Sequence, residues 1–570
     1  MLLGAAIFAA TAVATLQPSV TIKNGTVLGV DLPQFGQDLF LGIPYAQPPV
    51  GDLRLRLPRS MHVPLSSRPL PLLICLVDIS NASFVQLDAT AYGPHCWSRF
   101  TTGFDDNSGF NNSEDCLTLN VIRPHGVSEK SPVPVVVWIH GGGFFTGGSA
   151  DFRYNGTYLV QSSVDNGKPI VFVSINYRLA SLGFMGGKAL LDEGVLNLGL
   201  RDQRLALHWL QENIAKFGGN PNDDSWREAG GISVHAQIIA YKGRDDKLFN
   251  QAIVQSGSSG NFSLADTASF QATYNALITN TSCSSTANAS EAVQLSCIRS
   301  LPIDQFRHAS ASGATGIVFD GDFIDTLSIL QSYKTGNWVK VAFVLGSNTD
   351  EGRSFAPSGA NTTDQVKAML TSIPVQYLDA ILELYPNVLA LGCPFNTGDF
   401  QLNPNQNGGF MTPGLQNKRV AAITGDVMEA AQWSTMACAS RVVPGSILEI
   451  QPWSVSFGVE DYVGHFTEVG YVFNTQNNDT DFWIANHFTA TYLGQSAPIE
   501  DRFLGVYMSQ SWASFVATGD PNNANVTTKI NWPKYSEGHQ NLVWQTQGST
   551  TEKDNYREAG IKFVIDNIFF

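Results

Sequence analysis

The sequence predicts an α/β fold, in which helices cover a large and mostly parallel sheet. Two buried strands are predicted, at Pro134 to Ile139 and at Ile170 to Ile175, because continuous apolar runs of this length are typical of strands covered on both faces. A helix is predicted over Leu200 to Phe217, where leucine and isoleucine side chains recur on one face. Strands that alternate with helices in this way are typical of α/β architecture.

The composition indicates one large folded domain and excludes several classes of partner. Of the 570 residues, 43% are hydrophobic and 15% are charged, so the chain can bury a large core and is not a disordered scaffold. The 34 lysine and arginine residues against 49 aspartate and glutamate residues give a net charge of −15, which argues against nucleic acid or an anionic membrane surface as a partner. No repeat or low-complexity linker is found, so we expect a single domain over residues 15–570.

Residues 1–14 are predicted to be a signal peptide. The apolar run that begins at Leu2 ends in Ala12-Val13-Ala14, which is similar to a signal peptidase site; because the run contains no Lys or Arg, a short buried helix is the alternative. No later apolar run approaches the roughly 18 residues that a membrane span needs. Sequons for N-glycosylation also indicate secretion, and we therefore expect a soluble extracellular protein. The sequons are at Asn24, Asn81, Asn111, Asn155, Asn261, Asn280, Asn288, Asn361, Asn478 and Asn525.

Further strands are predicted near the beginning and in the middle of the chain. Asn24-Gly25 separates two strand-like segments, Val20 to Ile22 and Thr26 to Val30, in a pattern typical of a β-hairpin. We therefore expect a small N-terminal antiparallel sheet. The apolar run Val341 to Leu345 is predicted to be another strand, which enters a loop at Gly346-Ser347-Asn348.

A glycine-rich loop follows the first buried strand. His140-Gly141-Gly142-Gly143-Phe144 begins where the apolar run Val135 to Ile139 ends. Glycines at a strand end allow the backbone to turn sharply and to expose successive N–H groups, as an oxyanion hole requires. Taken alone, the triplet fits an ordinary turn equally well.

Four further motifs accompany the glycine loop. They are Glu114 to Val121, Asn176 to Arg178, Asn197 to Gln203 and Phe217 to Pro221. Together with the loop they resemble the type B carboxylesterase/lipase family, the α/β-hydrolases that include cholinesterases and the non-catalytic neuroligins. The resemblance runs from about Val20 to the C-terminal region. It implies an α/β-hydrolase fold and a serine esterase whose triad is Ser, Glu and His in chain order.

The resemblance supplies the acid and the base of that triad. The acid matches Glu351 in Asn348 to Gly352; without the family context, a solvated acidic turn would be the simpler interpretation. The base matches His465 in Gly464 to Val469. His465 would take the proton of the nucleophile and later protonate the leaving alcohol, while Glu351 would orient the imidazole and stabilise its cation. The oxyanion donors would be Gly142, Gly143 and Ala229, the last as the residue after the nucleophile.

The nucleophilic serine has no counterpart in this chain. After Phe217 to Pro221 the family places an apolar strand and then Gly-Glu-Ser-Ala-Gly, whereas this chain reads Asp-Asp-Ser-Trp-Arg-Glu-Ala-Gly-Gly from residue 223 to residue 231. Glu228 matches the family glutamate, so the serine is missing between Glu228 and Ala229. Ser225 precedes the turn and Ser233 lies inside the following helix, so neither is presented on the sharp bend that exposes the nucleophile.

Three explanations of the missing serine remain open: a pseudoenzyme that binds without catalysis, a decaying gene, or a misplaced exon boundary in the written sequence. A pseudoenzyme would still need its central strand, yet polar residues take the place of the apolar run, at a cost of several kcal/mol unless they find partners. A second irregularity is the stretch Arg59 to Leu87, which is longer than the corresponding segment of relatives. A surface insertion and translated non-coding sequence both fit it. Two local breaks in an intact pattern favour the misplaced boundary.

The resemblance therefore implies a secreted hydrolase of small-molecule carboxylic esters that is nearly inactive as written. A non-catalytic, cholinesterase-like binding or adhesion protein is the alternative. No phosphate loop and no metal-ligand spacing such as C-x-x-C or H-E-x-x-H is present, so we expect no cofactor and no metal.

The cysteines bear on the compartment and on the suspect stretch. The resemblance implies two disulfides, Cys96 to Cys116 and Cys283 to Cys297, and leaves Cys393 and Cys438 as a weaker third pair. Of the seven cysteines only Cys75 lies within Arg59 to Leu87, so the chain without this stretch has an even number. The loop between the first pair carries aromatic residues that could flank an apolar entrance, and its modest length favours soluble esters over lipid surfaces. These aromatic residues are Trp97, Phe100, Phe104 and Phe110.

Overall fold

The structure is a computed structural model that describes most of the chain. It describes residues 17–61, 76–79, 82–98, 110–228, 230–257, 263–264, 268–387, 414–439, 452–457, 464–475, 498–526, 529–555 and 557–568. The predicted signal peptide, Cys75, Cys393 and Ala229 lie outside these residues.

The elements of the described residues alternate between strands and helices, as an α/β fold requires. The strands are β1 (Ser19–Ile22), β2 (Gly25–Leu28), β3 (Val30–Leu32), β4 (Gln37–Pro44), β5 (Leu76–Ile79), β6 (Ala82–Asp88), β7 (His95–Cys96), β8 (Asn112–Ser113), β9 (Thr118–Pro124), β10 (Val133–Ile139), β11 (Val171–Ile175), β12 (Gly219–Glu228), β13 (Gln251–Gln255), β14 (Ser263–Leu264), β15 (Val318–Phe319), β16 (Ala342–Asn348), β17 (Pro452–Phe457), β18 (Gln540–Trp544) and β19 (Thr550–Lys553). The helices are α1 (Gly156–Asp165), α2 (Ala180–Phe184), α3 (Lys188–Glu193), α4 (Leu198–Asn213), α5 (Gly231–Gly243), α6 (Ala268–Thr279), α7 (Glu291–Ser300), α8 (Ile303–Ser310), α9 (Ile329–Thr335), α10 (Thr363–Met369), α11 (Leu378–Leu384), α12 (Asn417–Ala439), α13 (Thr467–Val472), α14 (Ile499–Thr518) and α15 (Glu558–Asn567).

A large mixed sheet forms the centre of the fold. Its strand order is β19-β18-β17-β16-β13-β12-β10-β11-β9-β4-β3. The pairs from β18 to β11 in this order are parallel, and the pairs at the two ends are antiparallel. The mostly parallel sheet predicted from the sequence is confirmed.

Helices cover both faces of this sheet, which explains the continuous apolar runs of its strands. Along β10, Val135, Val137 and Ile139 share a buried cluster with residues of α4 and α5. The intervening Val136 and Trp138 share another with residues of α1, α13 and α14. Because successive side chains of a strand point to opposite faces, a strand covered on both sides must be apolar at every position.

Strand β12 forms in the middle of the sheet although its sequence is polar. Its backbone pairs in parallel with β10, where Val135 lies opposite Asp224 and Ile139 lies opposite Glu228. It also pairs with β13, where Ser225 lies opposite Gln251. The register with β10 shifts between Val133 and Val135. The backbone of the central strand therefore persists where the sequence lacks the expected apolar run.

The small N-terminal sheet is also present, with the strand order β1-β2-β6-β5. The hairpin predicted around Asn24-Gly25 joins β1 to β2, with Ile22 opposite Gly25. Pairing is antiparallel in β1/β2 and in β5/β6, but β2 and β6 are parallel, with Val27 opposite Leu87. The last residues of the suspect stretch thus take part in this sheet.

Both disulfides implied by the resemblance are formed, between Cys96 and Cys116 and between Cys283 and Cys297. No helix of the described ranges has the length and hydropathy to cross a membrane. The asparagines of five predicted sequons are exposed, and those of three others lie outside the described residues. The exposed sequons are at Asn111, Asn280, Asn288, Asn361 and Asn525, and those outside are at Asn81, Asn261 and Asn478.

Candidate active site

The candidate catalytic residues lie where parallel strands of the large sheet end. Glu351 begins a short 3₁₀ turn directly after β16, and Ser256 follows the neighbouring strand β13. The next strand in the sheet, β17, precedes His465 in the chain. His465 itself lies directly before Phe466, the residue that flanks the start of α13. The carboxyl ends of parallel strands meet at one edge of a sheet, which is the usual site of ligands in open α/β folds.

The acid and the base predicted from the sequence are in direct contact. The Nδ1 atom of His465 lies 2.6 Å from Oε2 of Glu351. The Glu351 side chain is 1% exposed and that of His465 is 22% exposed, so the imidazole connects a buried carboxylate with the surface. This burial rules out the solvated acidic turn that the sequence alone suggested. The ring of Phe355 packs against the imidazole with centroids 4.9 Å apart.

The other carboxylate oxygen of Glu351 accepts two hydrogen bonds. The backbone N–H of Asn348 donates to Oε1 over 2.8 Å, and the Ser256 hydroxyl donates to the same atom. Ser256 adopts a left-handed backbone conformation, φ +53°, directly after β13. The sequence interpretation missed Ser256, because a serine 95 residues away carries no signal until the sheet brings the two strand ends together.

A second buried glutamate, Glu468, lies in the same network. Its carboxylate accepts hydrogen bonds from the side-chain amides of Asn348, over 2.6 Å, and Gln255, over 3.1 Å. Gln255 in turn accepts from the indole N–H of Trp512. Burial raises the pKa of Glu468, and the negative charge of Glu351 raises it further. Asn348 therefore holds both glutamates, one through its backbone and one through its side chain.

The environment of His465 favours its protonated form. Burial alone lowers the pKa of the imidazole, but the charge of Glu351, the hydrogen bond to Glu351 and the charge of Glu468 outweigh burial, so the pKa is raised. A carboxylate that stabilises an imidazolium in this way is the arrangement that a general base needs.

The turn that carries Glu351 packs directly against α12. A Cβ atom added at Gly352 would overlap with the carbonyl oxygen of Ala421 and the backbone nitrogen of Gly425. Two glycines therefore face each other where the turn meets the helix. This close approach fixes the position of the turn against the helix.

The glycine loop after β10 has the geometry expected of an oxyanion hole. Gly142 and Gly143 have φ values of +98° and +61°, which favour glycine. Neither backbone N–H donates a hydrogen bond within the part of the chain that the structure describes, whereas the carbonyl of Gly142 accepts from Phe145 and Thr146. The hydroxyl of Tyr177 donates to the carbonyl of His140 over 2.6 Å and so anchors the start of the loop.

The connection that should carry the nucleophile contains no serine. Strand β12 ends at Glu228 and α5 begins at Gly231, so Ala229 and Gly230 alone form the connection. Ala229, the predicted third oxyanion donor, lies outside the described residues. Ser233 is fully buried in the first turn of α5, and its hydroxyl accepts a hydrogen bond from Gln203 over 3.0 Å. Ser233 is thus a structural residue, as its position in the helix suggested.

Other residues of the recognised motifs are structural. The Arg178 guanidinium and the Asp202 carboxylate form a buried bidentate pair with N–O distances of 2.8 and 2.7 Å. The side-chain oxygen of Asn176 accepts from the backbone N–H of Ser149 over 2.8 Å. These contacts tie the loops after β10 and β11 to each other and to α4, and so hold the segment that follows the glycine loop.

The loop closed by Cys96 and Cys116 is described only in part. Phe110 stacks on His95 with centroids 4.4 Å apart, and Arg307 lies over the ring of Trp97 at 3.8 Å. The other two aromatic residues expected at an apolar entrance, Phe100 and Phe104, lie outside the described residues. The entrance therefore stays a prediction.

Comparison with known proteins identifies the family. A family model described as "Carboxylesterase family" matches residues 16–65 and 82–564. The chain belongs to the carboxylesterase family. The predicted resemblance is thus confirmed, and the match leaves out residues 66–81, within the suspect stretch.

Relatives of this carboxylesterase-family chain are named lipases and esterases. Secreted lipase 1 of Botryotinia fuckeliana (strain B05.10) is 31% identical and the alignment covers 98% of this chain and 93% of that protein. Lipase 4 of Diutina rugosa is 30% identical, with 96% of each covered. Among solved structures, EstA of Aspergillus niger has a TM-score of 0.76 at 26% identity, covering 96% of this chain and 98% of that chain. The α/β-hydrolase fold is therefore confirmed, and ester hydrolysis is the class of activity to which the chain is assigned.

Proposed function

We propose that this chain has the acid, the base and the oxyanion loop of a secreted serine ester hydrolase but lacks the nucleophile, so that it is nearly inactive as written. The observation that carries the proposal is the contact of His465 Nδ1 with Glu351 Oε2 at 2.6 Å, in a molecule whose β12 to α5 bend consists of Ala229 and Gly230.

In the proposed mechanism, His465 is the general base and Glu351 the orienting acid. With Nδ1 held by the carboxylate, Nε2 is the nitrogen left to take a proton from a serine hydroxyl and return it to the leaving alcohol. The N–H groups of Gly142 and Gly143, which have no acceptor among the described residues, would stabilise the negative charge on the carbonyl oxygen of the substrate in the transition state, together with that of Ala229.

The loss of the nucleophile decides the expected rate. In serine hydrolases this loss costs on the order of 10⁶ in kcat, which corresponds to roughly 8 kcal/mol of activation free energy. The oxyanion loop alone supports only weak residual catalysis. The names of the relatives include both lipases and an esterase, so acylglycerols and small soluble esters are the two substrate classes to compare.

Restoring the nucleophile tests the proposed roles. A rebuilt chain would carry a serine inserted between Glu228 and Ala229, the substitution Arg227→Gly, and apolar residues in place of Asp223, Asp224 and Ser225. We expect it to hydrolyse short-chain aryl esters, and to lose this activity when His465→Ala is added. A well-folded rebuilt chain that turns over no member of a broad panel of soluble and emulsified esters would refute the proposal.

A second candidate function is non-catalytic binding, and the missing serine is the observation that favours it. Sequencing the transcript across the codons for Asn220 to Gly231 separates the two candidates. An intact Gly-Glu-Ser-Ala-Gly in the transcript would show that the cell makes an esterase and would exclude the binding protein. A transcript in which the codon for Ala229 directly follows that for Glu228 would exclude the misplaced boundary.

A further inference from the structure

Side chains able to bind a metal ion meet at the edge of the large sheet formed by β3. Asp31 of β3 lies directly opposite Asp38 of β4, and Asp38 lies opposite Arg123 of β9. His125 follows β9 by one residue, and its imidazole joins the two aspartates. Within the described ranges, Asp31, Asp38 and His125 are the one group of three such ligands whose donor atoms lie within 4.8 Å of one another.

The spacing of the donor atoms fits a small divalent ion. The Nε2 atom of His125 lies 3.0 Å from Oδ1 of Asp31 and 3.4 Å from Oδ1 of Asp38. In a tetrahedral zinc site, bonds of 2.0 to 2.2 Å place neighbouring ligand atoms about 3.4 Å apart. An ion could therefore sit between these three atoms after only small side-chain movements.

The charges of the group also favour a cation. Two aspartates directly opposite each other on antiparallel strands repel. The Arg123 guanidinium contacts Oδ2 of Asp38 at 2.9 Å and balances one of the two charges. Oδ1 of Asp31 is shielded from water and accepts no hydrogen bond of good geometry. The second aspartate, Asp31, has no such arginine partner in the described part of the chain, and Nε2 of His125 lies beside it as a further donor atom for a cation.

The site is accessible to an ion from solution. The His125 side chain is 44% exposed, and those of Asp31 and Asp38 are 20% and 15% exposed. A ligand set of one imidazole and two carboxylates, with room for water, suits zinc and related transition metals better than magnesium or calcium, which prefer oxygen ligands alone. We propose that Asp31, Asp38 and His125 bind one divalent transition-metal ion, with water as the fourth ligand, and so join β3 and β4 to the end of β9.

Zinc titration of the full chain tests the proposal. After treatment with EDTA and its removal, we expect isothermal titration calorimetry with zinc chloride to show a site of 1:1 stoichiometry that His125→Ala or Asp31→Asn weakens by at least about tenfold. Loss of a residue that merely supports a ligand already costs 10- to 100-fold in metal affinity. Zinc should also raise the thermal unfolding midpoint of the unmodified chain and not that of the two variants.

The controls separate this site from other weak binding of zinc. His308→Ala removes another exposed histidine, on α8, and should leave the zinc affinity unchanged. Asp31→Asn keeps the shape of the side chain, so it tests the ligand role even where His125→Ala impairs folding. The proposal is overturned by the absence of binding in the unmodified chain, or by an affinity that neither variant at Asp31 or His125 changes.

Discussion

At the scale of single residues, Glu351 is the group on which the candidate site depends. One of its oxygens contacts His465, and the other accepts hydrogen bonds from Ser256 and from the backbone of Asn348. With 1% of the side chain exposed, the negative charge is poorly screened by water. Glu351 therefore sets both the orientation and the protonation of the imidazole.

Replacing Glu351 by glutamine should lower the pKa of His465. Glutamine keeps the size of the side chain but removes the charge, so burial is no longer outweighed and shifts the imidazole towards its neutral form. NMR titration of the imidazole measures the change. Glu129→Gln is the control, because Glu129 pairs with Lys216 on the surface, and it should leave the pKa where it was. The same pKa in both variants would contradict the role assigned to Glu351.

At the scale of elements, the candidate site is held between the sheet and α12. Strand β16 delivers the acid turn at the edge of the sheet, and the Gly352 backbone fits against α12 at Ala421 and Gly425. The position of the carboxylate therefore depends on a helix that contributes no side chain to the catalytic pair in the described residues.

Gly352→Ala should disturb the pair without touching either of its members. The added methyl group overlaps with the backbone of α12, so the turn must move, at a cost of about 1 to 3 kcal/mol in the free energy of unfolding. The displaced carboxylate should then stabilise the protonated imidazole less, so the pKa of His465 should fall. Urea unfolding and NMR titration measure the two effects. Ser354→Ala changes an exposed residue of the same turn and should alter neither quantity; a Gly352→Ala chain that behaves like it would show that the contact is dispensable.

The local sequence pattern predicted many of the strands and helices, but it did not by itself identify the residues of the site. Strands β10, β11 and β16 and helix α4 follow from apolar runs and from helical periodicity, because burial on two faces leaves a clear mark on the sequence. Glu351 and His465 were found through family motifs. Ser256 and the donor group of His125 were missed because they act through contacts between strands that are distant in the chain. The backbone of β12 could not be predicted either, since its neighbours β10 and β13 impose it on a polar segment.

At the scale of the whole molecule, both ends of the suspect stretch Arg59 to Leu87 are built into the fold, whereas its middle carries only the edge strand β5 in the described residues. At its start, the backbone N–H of Gln47 donates to the carbonyl of Arg59 over 2.8 Å. At its end, Leu87 is 3% exposed and lies opposite Val27 of β2. Within this stretch, the family match leaves out only residues 66–81, which include Cys75. We therefore propose that an excess segment, if the written sequence contains one, lies within 66–81.

Deleting residues 66–81 removes the edge strand β5 but leaves the pairing of β6 with β2, so it should yield a folded, secreted protein with six cysteines. Deleting 59–87 should instead destabilise the chain, because β2 loses the strand that pairs with it at Leu87. Secretion yield, free-thiol content and the thermal unfolding midpoint compare the two deletions with the full chain. If removal of 66–81 abolishes secretion while the full chain is secreted, the segment is part of the native protein.

The hydrogen-bond network around Glu351 also bears on how the serine was lost. It joins residues as far apart as Gln255 and Glu468, 213 positions along the chain, and the loss of any member would leave a buried polar partner unsatisfied. A gene without a use accumulates substitutions throughout its length. A network that depends on so many positions would therefore be disrupted early. In the described residues the contacts of Glu351 and His465 are formed, and the departures from the family motif are Asp223 to Arg227 and the serine missing after Glu228. A defect confined to this segment is what a misplaced exon boundary would leave, and the transcript sequence across Asn220 to Gly231 tests that explanation against gradual decay.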